Sequence, residues 1–84
     1  MILNENYKIA KYGDVVHLVN IDSGDIYRIN EVTETIIQLV DEQRELNDII
    51  KITYEKYKDE NESFTDENLR QFIFRLQEEG IIRK

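Results

Sequence analysis

The sequence contains no cysteine, no proline and no tryptophan, and it has only one histidine and three glycines among its 84 residues. Without cysteine there are no disulfides, thiolate metal ligands or cysteine nucleophiles. The glycines at positions 13, 24 and 80 are too far apart for a phosphate-binding loop. No apolar run approaches the roughly 20 residues that span a bilayer, and the first residues lack the features of a signal peptide. We therefore expect a cytoplasmic protein.

Basic residues are also scarce, since 11 Lys and Arg stand against 18 Asp and Glu, giving a net charge of −7. Clustered cations attract phosphate backbones and anionic membranes, so this balance argues against nucleic acid and membranes as partners. The segment up to Asn30 holds three basic and four acidic residues, so the remainder carries most of the negative charge. The 40% hydrophobic content is sufficient for one packed core, and we predict one domain over residues 1–84.

The first part of the chain has the pattern of an antiparallel sheet. Two strands are predicted at Tyr7–Tyr12 and Val15–Val19, and a third at Asp25–Asn30. The separators contain Gly13 and Gly24 beside Asp or Ser, which is typical of turns. In the third strand, alternation places Tyr27 and Ile29 on one face and Ile26 and Arg28 on the other.

The rest of the chain has helical periodicity. The first helix follows Asn30 as N-cap, the second covers Asn47–Tyr57, and the third begins after Thr65 and ends at Gly80. Residues 58–63 are expected to form a solvated loop, and Ile81 and Ile82 a short apolar tail. The apolar stripe of the third helix consists of Leu69, Phe72, Ile73 and Leu76. The fold class predicted is therefore α+β, winged-helix-like, with a three-stranded antiparallel sheet followed by three helices.

Residues for catalysis or metal binding are few. His17 is the only histidine, and it lies within a predicted strand with no evident partner, so a structural or surface role is favoured. The carboxylates are spread over polar helix faces, where acidic residues are usually solvated. We predict a protein that is not an enzyme and has no cofactor and no metal.

With catalysis and metal binding disfavoured, recognition of a partner is the remaining function, and the third strand and third helix are the candidate binding elements. A terminal strand presents unpaired backbone groups that an extended peptide can satisfy. On the third helix, Phe74 lies off the apolar stripe with Arg70 and Gln77 beside it. Phe74 forms either the wall of a peptide groove or a contact with a terminal segment such as 1–3 or 81–82, and the sequence leaves both open.

Two alternative functions are also compatible with the predicted fold. A winged-helix-like domain can bind DNA, but the third helix offers Arg70 and Arg75 against four acidic residues, so it has no basic surplus for counterion release. The domain can also be a structural subunit of a larger complex. DNA binding or a transcription-associated role is the main alternative.

Several segments resemble the PqqD-like domains, also called RiPP precursor peptide recognition elements. The similar residues are His17-Leu18-Val19-Asn20, the turn with Gly24, Tyr27-Arg28-Ile29-Asn30-Glu31, and the helical pattern that ends in Gly80-Ile81-Ile82. The resemblance implies a noncatalytic domain that binds the leader of a ribosomally synthesised precursor peptide as an added strand. It further implies delivery of that peptide to a modifying enzyme or leader peptidase of a lasso-peptide or radical-SAM-type pathway, with the lasso class preferred.

The resemblance also carries a site onto this chain, beside the third strand and against the third helix. The implied contacts are Asp25, Ile26, Tyr27 and Arg28 on the strand, and Leu69, Arg70, Phe72, Ile73, Phe74, Leu76 and Gln77 on the helix. The negative net charge of the protein favours a leader that places basic residues at least around the rim of the contact. A local site for an acidic leader, formed by Arg28, Arg70 and Arg75, stays open as the alternative.

Overall fold

A computed structural model describes residues 1–60 and 64–83, and it shows two antiparallel sheets and three helices. In chain order the elements are β1 (Ile2–Leu3), β2 (Tyr7–Tyr12), β3 (Val15–Asn20), β4 (Ile26–Arg28), α1 (Glu31–Asp41), α2 (Leu46–Tyr57), α3 (Asp66–Glu78) and β5 (Ile82–Arg83). The predicted α+β class, with a three-stranded antiparallel sheet followed by three helices, is confirmed.

The larger sheet has the order β2-β3-β4, so β4 is an edge strand. In its register Leu18 of β3 faces Ile9 of β2 and Tyr27 of β4. The turns between the strands contain Gly13 at φ +66° and Gly24 at φ +82°, backbone conformations that glycine adopts without steric cost. Because of these turns, strands that follow one another along the chain are also neighbours in the sheet.

One face of this sheet packs against the helices, and the other is open. Leu18 is 2% exposed, and Ile9 on the same face packs against the core. Because side chains alternate along a strand, Val19 and Ile26, which pair with each other, lie on the outer face. The core itself is formed mainly by the helices and contains Ile36, Val40, Ile49 and Ile73, each 0% exposed.

Capping residues fix where two helices begin. The side chain of Asn30 accepts a hydrogen bond from the backbone N–H of Thr33, at 2.8 Å, and Thr65 caps α3 in the same way through Asn68. Both N-caps were predicted, and both are confirmed. The predicted stop at Gly80 is also confirmed, since this residue has φ +78° and follows the C-cap.

The structure differs from the sequence-based prediction at both ends of the chain. Ile2–Leu3 and Ile82–Arg83 pair as a two-stranded sheet, whereas no strand was predicted in either segment. Ile81 and Ile82 are 7% and 1% exposed, so they belong to the core and are not a free tail. Two-residue strands that pair across the whole chain leave no periodic signal, which explains why they were missed.

Three boundaries also change. The third strand of the larger sheet covers only Ile26–Arg28, because Asn30 is occupied as the N-cap of α1. β3 extends to Asn20, and α2 begins at Leu46. Of the predicted loop 58–63, residues 58–60 form a turn, and residues 61–63 lie outside the described part of the chain.

Within the described residues, no helix is both long enough and apolar enough to cross a membrane.

Candidate functional site

The free edge of β4 is the first component of the site. All three residues of this strand are exposed, with Ile26 57% and Tyr27 48% accessible. β3 lies on one side of the strand, and no described strand lies on the other. The edge is therefore open to a further strand.

The hydrogen-bond pattern identifies which backbone groups are free. Asn20 N–H donates to Asp25 C=O at 2.8 Å, and Ile29 N–H donates to Val16 C=O at 3.1 Å. Because hydrogen-bonded pairs alternate with non-hydrogen-bonded pairs in an antiparallel ladder, Tyr27 also points its backbone groups toward β3. Ile26 and Arg28 then direct their N–H and C=O groups outward.

A cleft of about 570 Å³ lies between β4 and α3. Its strand side includes Tyr27, Arg28, Ile29 and Asn30, and its helix side includes Phe72, Leu76 and Glu79. Tyr7, Leu18, Thr33 and Ile81 complete the lining. The cleft thus combines an apolar interior with a polar rim directly beside the free edge.

A second cavity of about 400 Å³ lies next to this cleft, also against α3. The two share Asn30, Thr33 and Phe72. Further lining comes from Tyr57 and Phe64, whose rings meet edge to face with their centroids 6.1 Å apart. We refer to these two neighbouring cavities together as the groove; α3 bounds it on one side, and β4 and the start of α1 bound it on the other.

The predicted helix residues divide between two flanks of α3. Phe72 and Leu76 line the cleft, but Arg70, Phe74 and Gln77 do not. Arg70 donates to Asn47 at the start of α2, at 3.0 Å, and Gln77 contacts the sulfur of Met1 at 3.4 Å. These three residues therefore do not line the cleft beside the third strand.

The reason lies in the helix geometry. At 3.6 residues per turn, Phe72 and Phe74 are about 160° apart around the axis. Phe74 is 49% exposed, so it does not belong to the core either. The periodicity of α3 defines two flanks beside its apolar stripe, but only the three-dimensional fold decides which of them faces β4.

Three of the predicted helix contacts are core residues. Leu69, Ile73 and Leu76 are 3%, 0% and 5% exposed. Ile73 has no accessible surface for a ligand, and Leu69 and Leu76 have little. Their part is to hold α3 at its distance from the sheet, which keeps the cleft open.

Charge around Tyr27 is negative. Its hydroxyl donates to the Asp25 carboxylate at 3.5 Å. The negative charge of Asp25 raises the pKa of the Tyr27 hydroxyl above its ordinary value, with smaller contributions from desolvation, Tyr7 and Glu79. The carboxylates of Asp25 and Glu79 therefore place negative charge at the mouth of the cleft.

The sequence interpretation missed several lining residues, among them Tyr7, Asn30, Thr33 and Glu79. Tyr7 reaches the cleft from the far strand of the sheet, and Glu79 is the C-cap of α3, so neither had a local signal. In the described ranges 1–60 and 64–83, no cluster of three or more metal-binding side chains occurs. The site is suited to contact with an extended chain.

Comparisons with known proteins identify the fold and the family of this chain. A search of curated proteins gives no match. A solved structure described as TbiB1 in complex with the TbiA(beta) leader peptide superposes with a TM-score of 0.74 at 19% sequence identity, covering 99% of this chain and 95% of that chain. The family model described as Coenzyme PQQ synthesis protein D (PqqD) matches residues 16–82. Because this match covers most of the sequence, the chain belongs to the PqqD family.

Proposed function

We propose that this protein is a noncatalytic binding domain for the leader segment of a ribosomally synthesised precursor peptide. The leader adds as a strand to β4, and alternate side chains enter the cleft between β4 and α3. The observation that carries the proposal is the position of a free strand edge directly beside an apolar cleft. The fold shared with TbiB1, which was solved with a leader peptide, supports the same function.

The energetics of strand addition suit such a role. Backbone hydrogen bonds to Ile26 and Arg28 supply affinity with little sequence preference, and side chains in the cleft add specificity. The leader loses conformational entropy on binding, so we expect a dissociation constant on the order of tens of nanomolar to micromolar. Release at this affinity permits delivery to a modifying enzyme or leader peptidase of the same pathway, the role that we propose for the bound complex.

An NMR titration with the leader of any precursor peptide that the neighbouring genes encode tests the proposal. We expect amide shifts at residues 25–30 and along the cleft side of α3, around Phe72, Leu76 and Glu79. An unchanged spectrum at several hundred micromolar leader would reject that peptide as a ligand. A gel shift of duplex DNA at low salt and micromolar protein would instead favour the DNA-binding alternative.

A proline substitution isolates the contribution of backbone hydrogen bonds to leader binding. The N–H of Ile26 points away from β3, so Ile26→Pro removes a donor for the added strand without removing a ladder bond. We expect leader affinity to fall about tenfold or more, with the helical circular dichroism retained. Lys11→Pro is the matched control, because the N–H of Lys11 points outward at the opposite edge of the sheet. Equal loss of affinity in both variants would contradict pairing at β4.

Side-chain variants distinguish the two flanks of α3. Phe72→Leu is expected to weaken leader binding, because Phe72 lines both cavities. Phe74→Ala is expected to change leader affinity less than about twofold and to leave the fold intact, since the side chain is half exposed and lies across the helix. If Phe74→Ala weakens binding as the sequence interpretation expects, the leader contacts the other flank.

A further inference from the structure

The two sides of β4 carry opposite charge. Tyr27 faces the cleft, because it pairs with the buried Leu18. Asp25, two residues before Tyr27, shares this face and contacts the Tyr27 hydroxyl, and Glu79 reaches the same cleft from the end of α3. Arg75 lies one turn before Glu79 and, like Asp25, is exposed and outside the cleft lining. Around Tyr27, the inner side of the free edge therefore carries the negative charges of Asp25 and Glu79.

The outer side of the same strand is cationic. Arg28 pairs with His17, so its side chain lies on the face opposite Leu18 even though the residue borders the cleft. On this face the strands contribute Lys8 and Arg28 and no carboxylate, while Asp14 and Asp22 lie in the turns beyond the strand ends. Arg28 has no carboxylate within ion-pair distance among the described residues. Its guanidinium is available to a ligand.

We infer that the peptide bound here alternates in charge with a period of two residues. Side chains that enter the cleft are apolar or basic, and side chains between them, on the outer face beside Arg28, include an acidic residue. This inference rests on the proposed strand addition, because only an extended strand sends successive side chains to opposite faces. It holds for a parallel or an antiparallel ligand, since both alternate in the same way.

The alternation resolves the choice between a basic and an acidic leader. The net charge of −7 describes the average field, which favours basic residues at the rim of the site. Arg28 acts over a shorter distance, comparable to the Debye length of about 8 Å at physiological salt. The same leader segment therefore accommodates both signs, each on its own face of the strand.

A charge scan of the leader tests the inference. Each residue of the leader segment that gives the amide shifts is replaced in turn by Glu and by Lys, and affinity is measured by fluorescence anisotropy. At inward positions Glu is expected to bind about three- to tenfold more weakly than Lys, and at outward positions near Arg28 the order reverses. Preferences that do not alternate, or that alternate in the opposite sense, would overturn the inference.

Reciprocal protein variants assign the two faces. Arg28→Glu is expected to reverse the preference at outward positions only, and Glu79→Lys at inward positions only. Lys51→Glu, on the exposed surface of α2, and Glu78→Lys, beside Glu79 in sequence but on another face of α3, serve as matched controls. An equal effect of Glu78→Lys and Glu79→Lys would show that net charge, and not the cleft, sets the preference, and would overturn the inference.

The outcomes separate this inference from the proposed function. A leader that shifts the amides of β4 but shows no alternating charge preference sustains strand addition and overturns the charge pattern. A leader that binds without shifting β4 overturns both.

Discussion

At the scale of single residues, Tyr57 combines packing with a buried polar network. Tyr57 is 4% exposed, and its hydroxyl lies 2.7 Å from the Thr35 Oγ1. The hydroxyl also donates to the Glu31 carbonyl at 3.2 Å. Both partners belong to α1, so this one side chain joins the end of α2 to the start of α1, close to the groove.

We predict that Tyr57→Phe lowers the free energy of unfolding by about 1–3 kcal/mol, because the buried Thr35 hydroxyl loses its partner. Urea denaturation monitored by circular dichroism measures the change. Tyr54→Phe, on the same helix and only partly buried, is the control, with an expected change within about 0.5 kcal/mol. Equal effects of the two substitutions would mean that the network contributes nothing.

A second residue-scale prediction concerns Tyr27. The Asp25 carboxylate disfavours the phenolate form and is the largest cause of its raised pKa. Asp25→Asn removes this negative charge, so the pKa of Tyr27 is expected to fall toward its ordinary value. An alkaline NMR titration of the tyrosine ring carbons measures it, with Asp22→Asn as the control that leaves the pKa unchanged. A pKa that does not move in Asp25→Asn would contradict the negative field at the cleft mouth.

At the scale of elements, α1 and α3 end in the same way with different residues. In α3, Gly80 N–H bonds to Gln77 C=O and Ile81 N–H bonds to Leu76 C=O, a Schellman motif. In α1, the corresponding bonds run from Gln43 to Val40 and from Arg44 to Leu39. Gln43 has φ +63°, a left-handed conformation that costs a residue with a side chain about 1–2 kcal/mol.

Gln43→Gly is therefore expected to raise the free energy of unfolding by about 1 kcal/mol, after the entropy cost of glycine in the unfolded chain is subtracted. Gly80→Ala, at φ +78°, is expected to lower it by about the same amount. Urea denaturation of both variants measures the two changes. A loss of stability in Gln43→Gly would show that the Gln43 side chain stabilises the fold by more than its backbone strain costs.

The sequence predicted these elements well where the signal is local. The N-caps Asn30 and Thr65, the turn glycines and the stop at Gly80 each depend on neighbours within a few residues, and all are confirmed. The predicted division of side chains between the two faces of the third strand was also correct, because alternation needs only one buried reference residue. The flank of α3 that meets β4 was not predictable, since it depends on how the helix is rotated against the sheet.

At the scale of the whole molecule, the first and last described segments of the chain meet. β1 and β5 pair, the Asn4 side chain donates to the Gly80 carbonyl at 2.8 Å, and the Asn4 N–H donates to the Ile81 carbonyl at 2.9 Å. These contacts join segments separated by almost the full length of the chain. No local pattern predicts such pairing, and the apolar residues at 2, 3, 81 and 82 gave no indication of their partners.

This pairing also has a consequence for the order of folding events. The hairpins of the larger sheet close over short loops, whereas the pairing of the ends must close a loop of nearly the whole chain and so bears the largest entropy of closure. We expect it to form after the rate-limiting step. Asn4→Ala should then accelerate unfolding while leaving the refolding rate almost unchanged, in stopped-flow measurements across a denaturant series. A slower refolding rate would instead place the chain ends in the folding nucleus.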